Sequence, residues 1–448
     1  MNSEETVCII FLTIICLGIP YLNWAKKDPI QFWSPLTILC IIMLYYAVIG
    51  PFVTVYSGQT VYKLIDHRPF FLGGWILTLV GMISTIIGFN IISSKVKHSS
   101  LAKAKDDYLN GIAVEKTAWK PLVYLALICI IALVGTGGLI DQVAISRSAE
   151  GSLFQGTNTS FGGYLLNGIN LLIGACVLLF IYCLKYKERW WLFLLLCGFT
   201  FAVYTKQGFR WRHISLILAL AGTYYIYYNK KINLILFSVL GFFLLGVMGF
   251  IGLTRAYGAG LDYSNVDNVD NWDLILAGFG ESSVFMTTSL LIHKSAQFLP
   301  TEFIGLDPLF QTVFMPIPRA LWPGKPSGDY LSIVVSLYDE VFVDNGLGAA
   351  IFNFGEYYLM YGWISVILGG LLLGWLFKKA WLWFLKHRRN KLAIVTYAVF
   401  FSYIYMIISR GYTPQVVMLF FFTVYPLYFI FNYHYKRVKL KKARFAHS

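Results

Sequence analysis

The sequence predicts an all-α polytopic membrane protein with about eleven transmembrane helices. Of its 448 residues, 58% are hydrophobic and only 13% are charged, about half the charged fraction of a soluble domain. Apolar runs of about 20 residues recur from end to end, and each is long enough to cross a bilayer. Inside lipid the backbone must satisfy its own hydrogen bonds, so continuous apolar runs are expected to form helices.

The apolar runs define eleven candidate spans. In chain order they are residues 6–24, 34–56, 70–93, 120–140, 163–184, 190–205, 213–228, 232–252, 351–377, 392–409 and 413–433. The first run follows Met1–Thr6, which contains Glu4 and Glu5 but no basic residue, so a retained helix is expected there rather than a cleaved signal peptide. The spans divide the chain into three predicted parts. These are spans 1–8 in residues 1–252, a large loop in 253–350, and spans 9–11 with a basic tail in 351–448.

The basic residues concentrate in alternate loops. The loops 25–33, 94–119, 185–189, 229–231 and 378–391 and the tail 434–448, with Lys120, contain 25 of the 36 basic residues and 5 of the 22 acidic ones. The two sides therefore carry about +20 and −6, and the positive side is expected to be cytoplasmic. This places the chain in the bacterial inner membrane with a periplasmic N-terminus and a cytoplasmic C-terminus. Because topology accounts for the net charge of +14, nucleic acid is not an expected partner.

The long periplasmic loop 253–350 contains an apolar stretch at 274–292. We expect a re-entrant or interfacial helix there. The alternative is a true span, which needs a partner within 303–322, a segment interrupted by Pro308, Pro316 and Pro318. That alternative raises the number of spans to 13.

Several basic residues lie on the predicted periplasmic side, against the positive-inside preference. They are Lys206, Arg210, Arg212 and His213 in the short loop 204–214, Arg255, Arg319, Lys325 and Arg410. Charges near membrane depth usually face a cavity or a partner, and arginine forks match phosphate oxygens. An anionic ligand held at this leaflet explains all of them. The alternative is that each pairs with a nearby carboxylate or extends to lipid headgroups.

Carboxylates on the same side are candidate general bases. Glu281 lies within an apolar run, Glu356 lies at the mouth of the ninth span, and Asp307 and Asp329 flank a proline-rich stretch. A carboxylate near lipid depth can act as a general base, although each can also be an arginine counter-ion. His213 and His293 are further candidate bases, with a structural role as the alternative.

Aromatic residues near these charges can stack on sugars or anchor the chain at the interface. They are Trp322, Tyr330, Tyr357, Tyr358 and Tyr412. The seven cysteines all lie in apolar runs, with no metal-ligand spacing or disulfide framework, which is typical of packing residues. The sequence has no Walker A motif, no HExxH and no Asp-x-Asp. It therefore predicts no metal and no cofactor. It predicts a reaction that takes its energy from an already activated substrate.

Four short motifs resemble the Wzy-type O-antigen and oligosaccharide repeat-unit polymerases. They are Gly208-Phe-Arg210, the loop Ile317-Pro-Arg-Ala-Leu-Trp-Pro-Gly-Lys-Pro326, Gly355-Glu-Tyr-Tyr-Leu-Met-Tyr-Gly-Trp363 and Ser409-Arg-Gly411. The loop is also similar to that of enterobacterial common antigen polymerase. The many-spanning layout with one long outer loop extends the resemblance over nearly the whole chain.

The resemblance implies a GT-C-like membrane glycosyltransferase whose periplasmic loop carries short helices. It implies transfer of a growing glycan from undecaprenyl pyrophosphate to a new lipid-linked repeat unit, making O-antigen, common antigen or capsule. Membrane lipids and a chain-length regulator of the inner membrane are further expected partners. Arg210, Arg255 and Arg410 would hold pyrophosphate, and Arg319 pyrophosphate or an acidic sugar. Glu281 or Glu356 would be the base.

Two other functions remain open from the residues. One is a ligase that moves a finished glycan onto a lipid core, with His293-Lys294 as a faint match to the outer-loop histidine of such enzymes. The other is a flippase or transporter. It is disfavoured because almost no charge lies inside the spans.

Overall fold

Helices account for almost all of the regular structure, as the apolar runs predict. The computed structural model describes residues 2–92, 118–135, 165, 167–207, 210–256, 260–261, 277–279, 283–298, 303–314, 317, 322, 334, 338 and 350–446. The first eight helices are α1 (Ser3–Ala25), α2 (Pro35–Met43), α3 (Gly50–Tyr56), α4 (Phe71–Ile91), α5 (Lys120–Gly135), α6 (Leu171–Tyr186), α7 (Trp190–Gln207) and α8 (Arg210–Tyr228). The remaining helices are α9 (Leu234–Leu253), α10 (Ser283–Phe298), α11 (Asp307–Phe314), α12 (Asn353–His387), α13 (Lys391–Ser409), α14 (Thr413–Thr423) and α15 (Tyr425–Ala446).

Two antiparallel hairpins of two-residue strands complete the described structure. The first pairs β1 (Val61–Tyr62) with β2 (Ile65–Asp66), and the second pairs β3 (Arg255–Ala256) with β4 (Gly260–Leu261). Both hairpins lie in connections between helices.

The helices confirm the predicted fold class, an all-α polytopic membrane protein. Among the described residues, six helical segments are long and apolar enough to cross a membrane, and the bent pair α14–α15 makes a seventh. The six are Ser3–Ala25, Pro35–Tyr56, Arg68–Ile91, Leu234–Ile251, Asn353–His387 and Lys391–Ser409. Shorter apolar helices at Lys120–Ala132, Leu171–Tyr186 and Trp190–Thr205, together with α8, occupy the other predicted spans. The described part of 303–322 contains the eight-residue helix α11, about 12 Å long and too short to cross a bilayer.

The ninth predicted span is broken near its start. Tyr361 and Gly362 leave the helical region, with Gly362 at φ +63°, a conformation that glycine adopts readily. The short distance between two residues on either side shows that the chain folds back at this point. A Cβ built on Gly369 would lie only 2.5 Å from the Tyr357 ring. In a straight helix these two residues would be about 18 Å apart. Residues 353–360 therefore lie beside the rest of α12 instead of continuing its axis.

Two other spans depart from straight α-helix. Residues Leu44–Ile49 between α2 and α3 form a π-helical segment, and α14 meets α15 at a bend of 43° next to Val424. The predicted loop 204–214 is also largely helical. Helix α7 continues to Gln207 and α8 starts at Arg210, so Arg210, Arg212 and His213 form the first turn of a helix.

Glycines allow the closest approach between two of the long helices. A Cβ built on Gly88 of α4 would lie 2.1 Å from the Leu371 carbonyl oxygen, and one built on Gly374 of α12 would lie 2.0 Å from the Thr85 carbonyl oxygen. These are backbone-to-backbone contacts that no larger residue can make. They hold α12 against the last two turns of α4.

Four of the loops that the charge pattern grouped together, those after α1, α6, α8 and α12, meet at one end of the bundle, which we call the basic end. Arg388 donates to Asp28 at 2.8 Å, joining the loop after α12 to the loop after α1. Lys187 donates to the Tyr228 hydroxyl at 3.2 Å, and the Trp24 indole donates to the Ile232 carbonyl at 3.2 Å. We call the opposite end, where Arg68 pairs with Glu5 at 2.7 Å, the site end.

Helix α10 packs on the half of α4 nearest the site end. The Phe285 ring lies 5.3 Å from Phe71 and 5.7 Å from Trp75. Just before this helix, Tyr45 donates to the Gly278 carbonyl at 2.6 Å. The segment before α10 therefore packs against the middle of the second span.

Candidate active site

The first turn of α8 carries two arginines in different environments. Arg210 is partly exposed, whereas Arg212 is only 2% exposed. The Arg212 guanidinium lies 5.6 Å from the centre of the Tyr204 ring and 5.4 Å from that of Trp211. These cation–π contacts hold the buried charge between α7 and the first turn of α8.

His213 joins this turn to the preceding helix. Its ring lies 4.5 Å from Phe201 and its Nε2 lies 3.0 Å from the Thr205 hydroxyl, both on α7. The side chain is 1% exposed. This favours the structural role that the sequence left open for His213.

Helix α8 runs antiparallel to α13, and this brings Arg212 to the level of Arg410. Near the basic end, the Lys391 ammonium lies over the Tyr227 ring. Further along, a Cβ on Gly222 would lie 3.7 Å from the Ala398 Cβ. Counting ten residues towards the site end on each helix reaches Arg212 and Ile408, the latter two residues before Arg410.

The turn between α13 and α14 is fixed on both sides of Arg410. Glu356 accepts two hydrogen bonds from Thr413, one from the backbone N–H at 2.8 Å and one from the hydroxyl at 2.6 Å. The Gly411 N–H donates to the Ile351 carbonyl at 2.7 Å. A Cβ on Gly411 would lie 2.3 Å from the Phe352 carbonyl oxygen, so the close contact requires glycine. Arg410 itself is partly exposed between these two contacts.

Measured from the site end, the Arg410 turn lies deeper in the bundle than the end of α3. The hydroxyls of Tyr46 and Tyr405 are 2.6 Å apart, which aligns α13 with the second span. Tyr46 is about 15 Å along the helix from Tyr56, and Arg410 is about 7 Å beyond Tyr405. Arg410 therefore lies roughly 7 Å short of the level of Tyr56 along the bundle.

Buried polar groups surround the same helix ends. Tyr204 donates to the Ile169 carbonyl at 3.3 Å, which places the start of α6 beside the Arg212 contact. The Asn170 carboxamide and the hydroxyls of Ser215 and Ser409 are buried without a hydrogen-bond partner among the described residues. Such groups are costly in an apolar core. Their concentration here indicates a polar interior at the site end.

A second polar group near the site end was not predicted from the sequence. The Tyr338 hydroxyl lies 3.1 Å from His67 Nε2 and 2.9 Å from the Thr287 hydroxyl, and His67 Nδ1 lies 2.8 Å from the Ile65 carbonyl. Burial lowers the pKa of His67 and raises that of Tyr338. Burial also lowers the pKa of Lys63, whose ammonium lies over the Tyr338 ring, to about 8. These contacts tie the long loop to α10 and the β1–β2 hairpin.

Of the predicted site residues, Arg210 and Arg212 lie in the first turn of α8, and Arg410 lies in the turn that Glu356 holds through Thr413. The backbones of Lys206 and Arg255 are described, at the end of α7 and in β3. The predicted residues Glu281, Arg319, Lys325, Asp329 and Tyr330 lie outside the described residues.

The other predicted residues lie on helices α10 to α12 and beside them. Trp322 is 36% exposed and its ring lies 5.3 Å from Phe314. Tyr357 lies in the folded-back segment of α12, with its ring 6.3 Å from Phe354. His293 stacks on Phe70 at 4.4 Å, and Asp307 is exposed at the start of α11. None of these contacts assigns a chemical role.

Comparison with known proteins gives one match that covers nearly the whole chain. The model of a family described as O-antigen polysaccharide polymerase Wzy matches residues 2–443. No curated protein and no solved structure matches the chain.

Proposed function

This chain belongs to the O-antigen polysaccharide polymerase Wzy family, and from that premise we propose a mechanism in which arginines at the site end hold a lipid pyrophosphate. The protein is a multi-pass membrane enzyme of the glycosyltransferase-like kind and acts on lipid-linked oligosaccharide repeat units. The donor, the face of the membrane and the residues that act are the parts we propose.

The proposed reaction is a glycosyl transfer between two lipid-linked substrates. A hydroxyl of the new repeat unit attacks the anomeric carbon of the growing glycan. A carbon–oxygen bond forms there, and the bond from that carbon to pyrophosphate breaks. The electron pair leaves with undecaprenyl pyrophosphate, and a protein carboxylate takes the hydroxyl proton. The leaving group is stable as an anion, so the protein has to supply positive charge and a base. On this scheme the reaction needs neither metal nor nucleotide.

One observation carries the proposal: the first turn of α8 and the Arg410 turn lie at one level, below the end of α3. Arg210 and Arg410 are both partly exposed there, and we assign them the pyrophosphate oxygens. Arg212 is buried in the same turn as Arg210 and adds positive potential without needing to touch the substrate. We propose that these groups line a recess that excludes much of the water, where fixed charges act more strongly than they would at the surface.

We assign the remaining predicted residues to the edges of this recess. Lys206, one residue from the end of α7, and Arg255 in β3 would add charge near the pyrophosphate. Arg319, Trp322, Lys325 and Tyr357 would contact the sugars or their acidic groups. These assignments rest on the sequence motifs and on the position of the described neighbours.

Two carboxylates remain candidates for the base. Both Glu356 oxygens accept hydrogen bonds from Thr413, which favours a positioning role for Glu356 that holds the Arg410 turn. We therefore propose Glu281 as the base and Glu356 as the residue that orients Arg410. A carboxylate can still accept a proton while its oxygens accept hydrogen bonds, so Glu356 is the second candidate for the base.

The orientation follows from the two ends of the bundle. The basic loops meet at one end, and the positive-inside rule assigns that end to the cytoplasm. The arginine recess then faces the periplasm in the inner membrane. A chain-length regulator in the same membrane remains a proposed partner.

The test is genetic and uses surface polysaccharide as its readout. A strain lacking the gene is complemented with wild type, Arg210→Ala or Lys230→Ala, a control that removes an exposed cation just beyond the other end of α8. We expect R210A to leave single repeat units on the lipid core, and K230A to restore the full ladder, with equal amounts of protein in the membrane. A normal ladder from R210A would overturn its role. Long chains held on the lipid carrier would indicate a ligase, and loss of all repeat units would indicate a flippase.

A further inference from the structure

The basic end contains two cavities on either side of the Asp28–Arg388 ion pair. The first is about 800 Å³ and lies between α1, α4 and α12. The second is about 880 Å³ and lies next to the loop after α8. Asp28 and Arg388 line both cavities. Neither cavity belongs to the site end, so the proposed polymerase chemistry leaves both unexplained.

The first cavity has a buried cation in its wall. Lys378 of α12 is 8% exposed, and its ammonium lies 4.6 Å from the centre of the Phe89 ring on α4. The next residue, Lys379, is exposed and lies over the Trp375 ring instead. Burying an ammonium costs free energy unless something in the cavity compensates its charge. The position of Lys378 therefore points to an anionic occupant.

The charge of the lining favours an anion. Lys26, Lys378 and Arg388 line the cavity, and Asp28 is the acidic residue among the lining residues. The Asp28 carboxylate accepts a hydrogen bond from Arg388 at 2.8 Å. With that pair neutralised, Lys26 and Lys378 leave an excess of two positive charges. The side chains of Gln31 and Asn90 line the same space and can donate hydrogen bonds.

Apart from Asn23 and Ser34, the rest of the wall is apolar, and it continues onto the outside of the bundle. Ile19, Leu22, Ile86, Leu382 and Leu385 line the cavity. Leu22 is 63% exposed and Ile91, one residue after Asn90, is 62% exposed. In a membrane protein these faces contact acyl chains. A ligand that fills the space therefore needs a phosphate at one end and hydrocarbon at the other.

We propose that this cavity binds an anionic glycerophospholipid, with its phosphate between Lys26 and Lys378 and its acyl chains along α1 and α4. Basic pockets between transmembrane helices at the cytoplasmic side bind such headgroups. A free phosphate ion would leave the apolar wall without a partner. The lipid would hold α12 against α1 and α4 at the end opposite the recess. Binding is independent of the sugar chemistry, so it can fail while the proposed function stands.

The test measures lipid retention by the purified full-length protein. Wild type, Lys378→Met, Lys378→Arg and Lys379→Met are exchanged into neutral detergent and incubated with phosphatidylglycerol, phosphatidylcholine or inorganic phosphate. Native mass spectrometry counts bound lipid, and thermal unfolding reports stabilisation. Methionine keeps a hydrocarbon stem against Phe89, so K378M removes the charge with little loss of packing.

We expect wild type and K379M to retain phosphatidylglycerol and to gain thermal stability from it. K378M should retain it about fivefold less tightly, the effect of one cation at a headgroup, and K378R should bind as wild type does. Equal retention by K378M and K379M would overturn the site. Equal retention of phosphatidylcholine would overturn the role of charge. Binding of inorganic phosphate without binding of phosphatidylglycerol would show that the ligand is a free phosphate and not a lipid.

Discussion

Thr413 donates both its backbone N–H and its hydroxyl to the two oxygens of Glu356, at 2.8 and 2.6 Å. The two residues are 57 positions apart and join the folded-back start of α12 to the turn that carries Arg410. A carboxylate that accepts bonds at the start of a helix also stabilises that helix. The pair thus links a candidate base to the position of a candidate pyrophosphate ligand.

This link predicts that Glu356 and Thr413 act as a unit. Loss of a hydrogen bond to a buried charge costs about 1.5–3 kcal/mol. We expect Glu356→Gln to slow chain growth about 10-fold or more, and Thr413→Ala to slow it by a smaller factor. The double variant should be no slower than E356Q alone, because both changes release the same turn.

The measurement is the distribution of chain lengths on a polysaccharide gel, normalised to the protein found in the membrane. Thr413→Ser is the matched control, since it keeps the hydroxyl. If T413A grows chains normally while E356Q grows none, the carboxylate has a direct role and Glu356 becomes the preferred base.

Arg410 is predicted to need its guanidinium fork and not only its charge. Arginine can bind two phosphate oxygens at once, whereas lysine presents a single point charge. We expect Arg410→Ala to abolish chain growth and Arg410→Lys to leave about a tenth of it or less. Assays with purified protein and a lipid-linked repeat unit would measure the rates. Full activity in R410K would show that charge alone suffices.

How far the sequence predicted this molecule depends on the range of the interaction concerned. Apolar runs and loop charges depend on local composition, and they located the long apolar helices and the loops that meet at the basic end. The fold-back at Tyr361 and Gly362 brings the Tyr357 ring against Gly369. No local sequence pattern encodes that contact. Arg210 and Arg410 were identified because charge at membrane depth is costly wherever it lies.

Other site features could not have been read from the sequence. Glu356 was predicted as a base or counter-ion, and the sequence did not show that it accepts hydrogen bonds from the threonine at the start of a helix 57 residues later. The contact of His67 with Tyr338 joins positions 271 residues apart. Nothing in the surrounding residues marks either pair. Pairings of this kind are set by tertiary packing.

The buried His67 predicts a pH dependence of stability. Its pKa is lowered by burial, so the folded protein binds the proton less readily than the unfolded chain does. The free energy of unfolding is then highest above the usual histidine pKa of about 6.5. It falls as the pH drops through that value towards the lower pKa of the folded state.

Thermal unfolding between pH 7.5 and 5 would measure this effect in the purified protein. We expect the melting temperature to fall with acidification in wild type, and to fall less in His67→Gln, which keeps hydrogen-bonding capacity but does not titrate. His293, which is exposed and stacks on Phe70, provides the control variant His293→Gln. Identical pH profiles for H67Q and wild type would exclude His67 as the origin.

The glycine contacts between α4 and α12 predict that two glycines in similar apolar sequence differ sharply in the stability lost when each is replaced by alanine. A methyl group on Gly374 would meet the Thr85 carbonyl oxygen at 2.0 Å, whereas one on Gly18 of α1 meets nothing within 4 Å. Two backbones cannot separate locally without loss of the packing around them, so we expect Gly374→Ala to destabilise the protein by about 1–3 kcal/mol or more. Gly18→Ala should be neutral or slightly stabilising, because alanine favours the helix.

Melting temperatures in detergent, with the yield of monodisperse protein, would compare the two variants. Equal stability of G374A and G18A would show that α12 does not pack against α4 as closely as these contacts require.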